Sequence, residues 1–123
     1  MIENFFTPKT IAVVGASSVA GKIGNDVVKN LADFQGEVYA INPKEENTEI
    51  LGRKVYKNIA DAPETDLVVI CIPAPFVNTV VEECGHKGIK NVIIIFYIYF
   101  LIYQIVVLKI FFSSYLFLYR SIS

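Results

Sequence analysis

The sequence predicts an α/β domain built on a doubly wound parallel sheet, left incomplete by an aberrant apolar C-terminal segment. Three observations carry that prediction. Short, β-branched apolar runs recur at 10–16, 37–41, 66–72 and 91–95, bounded by glycine, proline or asparagine. Two of the stretches between them space their apolar residues by three and four, as an amphipathic helix does. Three of the runs end in turn-forming segments, "GASSVAG" (15–21), "NPK" (42–44) and "IPAPF" (72–76).

The first run, "TIAVVGA", has no polar residue between Thr10 and its glycine, the pattern of a strand buried on both faces. After the turn, Ile23, Val27, Leu31 and Phe34, with Val28 beside them, place an apolar stripe along one helix. Lys22, Asn25, Asp26, Lys29 and Asn30 take its opposite face. "QGEVYAIN" supplies a breaker and then a second strand. The following "NPKEENTEILGRKVY" is polar and turn-rich, with a short extended piece expected near Val55. "DLVVICIPAP" reads as a third strand stopped by Pro73 and Pro75. Val77, Val80, Val81 and Cys84 mark a second helix that ends in "GHKG", and "NVIII" is a fourth strand. Strands alternating with helices at this spacing imply right-handed βαβ units and a Rossmann-like sheet. Ligands of such sheets sit beyond the carboxyl ends of the strands, where the winding reverses, and the three turn segments fall there.

A chain of 123 residues holds one small domain and one core. The net charge of −1 projects no field toward nucleic acid, so none is expected as a partner. Cys71 and Cys84 lie in apolar stretches with no metal-ligand spacing around them. They read as reduced core residues of a cytoplasmic protein, and no metal site is expected. The opening "MIENFFTPKT" lacks the basic region and apolar run of a signal peptide.

The glycine-punctuated turn "IAVVGASSVAGKIG" suits a phosphate cradle but matches neither common fingerprint. A Walker A loop needs four residues between its glycines; Gly15 and Gly21 are separated by five, and Ile23 follows Lys22 where a hydroxyl belongs. The G-x-G-x-x-G pattern fails because Ser17 occupies its second glycine. The acidic residue that would hold a ribose at the end of the second strand is missing too, since the chain there reads Ile41-Asn42-Pro43-Lys44. A lysine attracts a phosphate where a carboxylate would accept from a ribose hydroxyl. The site is therefore expected to take a nucleotide with a phosphate near its ribose, its pyrophosphate at the first helix's N-terminus. The plainer alternative is that Ser17 or Ser18 caps that helix and the glycines serve only turn and packing.

"FFTPKTIAVVGASSVAGKIGNDVVKNL", "VYAINPK", "ILGRKVY" and "DLVVICIPAPFVNTVVEECGHKGIKNVIII" together resemble the N-terminal CoA-binding domain of the NDP-forming acyl-CoA synthetases. The resemblance is strongest to the ADP-forming acetyl-CoA synthetase α type, a relative of the succinyl-CoA synthetase α subunit, and it runs over about residues 5–95. It implies a Rossmann-like domain that binds coenzyme A or an acyl-CoA as part of an ADP-forming acetate–CoA ligase. Carried over by position, Gly15, Ala16, Ser17 and Ser18 border the CoA phosphates, with Lys22 and Ile23 opening the helix. Asn42, Pro43 and Lys44 flank the adenosine 3′-phosphate, and Ile72, Pro73 and Ala74 run along the pantetheine arm. In the family, ligation proceeds through a phosphohistidine in a later domain, and ATP is held by further domains and a β subunit. His86 does not match that histidine, so no catalytic residue is expected in this chain. The alternatives are a free-standing CoA-binding regulatory protein and an NAD(P)-binding oxidoreductase fragment.

Beyond "NVIII" the resemblance stops. All 12 acidic residues, seven glycines and five prolines precede residue 96. The remainder, 96–123, carries only Lys109 and Arg120 as charges among aromatic and aliphatic residues. Residues 1–95 are thus expected to form a partial CoA-binding domain, and 96–123 a tail of another origin. A shifted reading frame or a truncation gives such a composition. A transmembrane segment over 92–119, anchoring the protein to a membrane, is the alternative, because about 18 or more apolar residues suffice to span.

Overall fold

The computed structural model describes residues 7–98, 102–111 and 114–116. Its strands are β1 (Thr10–Val14), β2 (Glu37–Ile41), β3 (Glu49–Ile50), β4 (Arg53–Tyr56), β5 (Leu67–Ile70), β6 (Asn91–Ile98), β7 (Ile102–Phe111) and β8 (Ser114–Leu116). Two α-helices, α1 (Ile23–Asn30) and α2 (Ala74–Lys87), and a 3-10 turn at Ile59–Asp61 complete the described elements. The strands join in one sheet in the order β3-β4-β2-β1-β5-β6-β7-β8. From β4 to β6 every pairing is parallel, while β3, β7 and β8 add antiparallel strands at the two sides.

The chain leaves β1 toward β2 and returns to the other side of β1 as β5, so the winding reverses between β1 and β5. The alternation along β1 shows why both faces must be covered. Ala12 and Val14 pack with Ile41, Val68, Ile70 and the α2 residues Val77, Val81 and Cys84. Ile11 and Val13 pack with Val38, Ala40, Val69 and Val28 of α1. Each helix buries its stripe on its own face of the sheet, which makes the domain a Rossmann-like, doubly wound α/β fold, as expected.

Several boundaries differ from the expected ones, each for a local reason. β1 stops at Val14 because Gly15 turns with φ +88° and donates its N–H to the Ile41 carbonyl at 2.8 Å. The third strand starts at Leu67, since the Asp66 N–H is taken by Thr10 Oγ1 at 2.8 Å and ties the amino ends of β1 and β5 together. α1 ends at Asn30, yet Leu31 and Phe34 still pack onto the same apolar cluster from the turn that follows. The extended piece near Val55 is half of a hairpin, β3–β4, closed by Leu51 at φ 50° and Gly52 at φ 80°. The fourth strand runs on to Ile98 and pairs antiparallel with β7 along its whole length, from Asn91 opposite Lys109 to Ile98 opposite Ile102. The stretch 92–119 thus contains strands where it is described, and among the described residues no helix is long and apolar enough to cross a membrane.

Candidate functional site

At the carboxyl ends of β1, β2 and β5 the three predicted segments come together. The loop after β1 is packed so tightly that it leaves no room for side chains at two glycines. A Cβ on Gly15 would collide with the Cys71 carbonyl oxygen and lie 2.8 Å from Ile72 Cγ2. A Cβ on Gly24, in the first turn of α1, would collide with the Gly15 carbonyl oxygen. These are the positions at which a nucleotide-binding turn needs its tight bend and its close helix approach. The helix glycine lies four residues beyond the position that the fingerprint spacing singles out, which is Ala20.

Two amide side chains then fix the direction of the loop. Asn42 Nδ2 donates to the Ala16 carbonyl at 2.8 Å, and Asn25 Nδ2 donates to the Ser17 carbonyl at 3.0 Å. In a trans peptide the C=O of one residue and the N–H of the next point in opposite directions, and no peptide bond here is cis. The N–H groups of Ser17 and Ser18 therefore face away from the two asparagines. The Ser18 N–H does so onto a carboxylate oxygen of Glu45, at 3.4 Å. α1 itself begins without a side-chain cap: Lys22 is its N-cap residue and makes no capping hydrogen bond. Neither serine caps the helix, while Gly15 and Gly24 do serve turn and packing. Ser17, buried, accepts the Val19 N–H on Oγ at 3.0 Å, and Ser18, exposed, turns its hydroxyl to Glu45.

The "NPK" segment sits beside this loop. Asn42 accepts the Lys44 N–H on Oδ1 at 2.9 Å while its amide holds Ala16, so one side chain shapes both turns. Pro43 and Lys44 are exposed. On the third side, Pro73 is the N-cap of α2 and Ala74 its first residue, with Ile72 packed between Gly15 and the α2-side core. Two large apolar side chains face solvent at this same end, Val19 at 53% exposure and Phe76 at 61%. Cys71, just below the loop, has its thiol pushed up to about 12 by burial, so it is a neutral packing group.

Asn25, Glu45 and Asn47 were not legible as site residues. Asn25 falls on the polar side of the helix pattern, yet it is buried because the loop folds back over it. His86 lies exposed in the last turn of α2, away from the three segments. Among the described residues no cluster of three or more His, Cys, Asp or Glu could hold a metal ion. A polar cavity of about 230 Å³ lies at the other end of the sheet, around Asp66, Lys87 and Asn91, where β5 and β6 begin.

Residues 9–99 match the family model described as the CoA binding domain. The chain belongs to that family. Among curated relatives of this CoA-binding domain is the acetate–CoA ligase [ADP-forming] I subunit alpha of Pyrococcus furiosus, 48% identical over 99 residues, which cover 76% of this chain and 21% of the relative. The solved structure of PH0766 from Pyrococcus horikoshii OT3 superposes with a TM-score of 0.72 at 43% identity, over 81% of this chain and 23% of that one. A conserved hypothetical protein of Pyrococcus furiosus superposes at 0.62 and 33% identity, over 68% of this chain and 72% of its own length. The CoA-binding domain spans only 14% to 21% of the length of the first curated relatives it matches.

Proposed function

We propose that the domain binds coenzyme A across the carboxyl ends of β1, β2 and β5, as the CoA-holding part of an ADP-forming acyl-CoA ligase. The observation that carries this reading is the loop of residues 15–18, whose carbonyls at 16 and 17 are tied inward by Asn42 and Asn25. Backbone donors aimed outward at an uncapped helix N-terminus suit a pyrophosphate. Gly15 and Gly24 let the loop sit directly against β5 and the first turn of α1, which holds those donors in place.

Gly15, Ala16, Ser17 and Ser18 are then the phosphate loop, with Lys22 and Ile23 at the start of the helix behind it. Lys44, exposed on the neighbouring turn, would attract the ribose 3′-phosphate. Ile72, Pro73 and Ala74 offer a mostly apolar edge to the pantetheine arm. Acyl transfer is assigned to other parts of the ligase: further α domains and an ATP-binding β subunit. On this division residues 1–95 are the binding unit and 96–123 lie outside it.

Calorimetric titration with CoA, dephospho-CoA and NADPH tests the reading. CoA should bind tightest, and Lys44→Ala should weaken CoA by about tenfold more than dephospho-CoA, the order of one charge-assisted contact. Equal weakening of both would remove Lys44 from the 3′-phosphate, and preference for NADPH would overturn the reading.

A second reading is a free-standing CoA-binding protein; this chain also covers 72% of a conserved hypothetical protein of Pyrococcus furiosus at 33% identity. Co-purification with an ATP-binding β subunit supports the ligase reading. CoA binding without such association supports the second.

A further inference from the structure

We infer that Glu45 is a built-in competitor for the ligand's phosphate and so sets the affinity of the site; this rests on the CoA reading above. Its carboxylate lies on the outward face of the phosphate loop. It accepts the Ser18 N–H at 3.4 Å and the Ser18 hydroxyl at 3.2 Å to each oxygen. From its own loop it accepts Asn47 Nδ2 at 2.8 Å and the Asn47 N–H at 3.4 Å. The Glu45 backbone is anchored separately, its carbonyl receiving Lys57 Nζ at 2.5 Å.

This donor set, two backbone N–H groups, a hydroxyl and a side-chain amide, carries no charge and selects an anion by geometry. Burial alone would raise the Glu45 carboxyl, but the donors of Asn47 and Ser18 outweigh it and hold the group below the usual carboxylate range. A phosphate that uses the Ser18 N–H must take the place of this carboxylate. Glu45 is only half-buried, so swinging it outward costs those hydrogen bonds and little packing. Apparent affinity then falls by the fraction of molecules in which the carboxylate occupies the loop.

Titration of CoA into the full chain and into Glu45→Gln and Glu45→Ala is the test, with thermal melts to show that each protein is folded. Both variants should bind CoA about three- to fivefold more tightly, the scale of one exposed charge interaction. The gain should shrink at high salt, where the repulsion it removes is already screened. Equal affinity in all three proteins overturns the competitor and leaves the CoA reading standing. Weaker binding by Glu45→Ala with Glu45→Gln unchanged also overturns it, because the carboxylate would then serve to clip the two loops together. CoA binding by none of the three overturns both readings.

Discussion

At Gly24 the helix touches the loop backbone, and any side chain there would strike the Gly15 carbonyl oxygen. Gly24→Ala is therefore expected to push α1 off β1, at a cost of about 1–3 kcal/mol in urea denaturation, and to weaken CoA binding with it. Asn25→Leu should cost a similar amount, because the buried Ser17 carbonyl loses its donor (about 1–3 kcal/mol). The two cysteines give a pH dependence. Burial pushes both thiols from 9.0 up to about 12. An unfolded thiol ionises first as pH rises, so this contribution to stability is complete below about pH 9 and is lost between pH 9 and 12. Thermal melts across that interval should fall more steeply for the natural chain than for the Cys71→Ala, Cys84→Ala double variant. The core role of both thiols was readable from their apolar neighbours. Asn25 was not, since helical periodicity says which face points away from the sheet and nothing about a loop that returns to cover it.

The β3–β4 hairpin is the element with the poorest local match between residue and backbone. Its two-residue turn places Leu51 at φ 50° and Gly52 at φ 80°, both left-handed, the geometry that usually employs Asn-Gly. Leu51→Asn is expected to stabilise the chain by about 0.5–1 kcal/mol, seen as a higher melting temperature without loss of CoA binding. The same mismatch explains what the sequence concealed: "LG" lacks the usual turn signal, so only an extended piece near Val55 could be read. β1, β2, β5 and both helices were legible because their apolar periodicity is long enough to show. Their ends were less so, because β1 and β5 end on hydrogen bonds to residues more than 20 positions away. The three site segments were legible as strand ends. Their mutual hydrogen bonds, Asn42 to Ala16 above all, depend on side-chain geometry that spacing does not encode.

On the scale of the whole molecule, the parallel half of the sheet is sealed by helices on both faces, while β6 meets β7 in a long antiparallel pairing. The tail sequence is rich in β-branched and aromatic residues with few charges to discourage association. The full chain is therefore expected to self-associate at micromolar concentration in analytical ultracentrifugation; a monomer with one cooperative melt would contradict this. The loop above the sheet has a different dependence. The Ala16 carbonyl is held by Asn42, just past β2, and the next, that of Ser17, by Asn25 of α1, so its shape is set by two residues 17 positions apart in the chain. A ligand there meets amides rather than letters. Residues 18–20 are exposed and can drift, while the two asparagines that aim the backbone cannot. A library randomised at Ser18, Val19 and Ala20 should keep CoA binders far more often than one randomised at Asn25 and Asn42. Descendants of this domain would then lose the serine, valine and alanine of the turn before they lost the two asparagines or the glycines at 15 and 24.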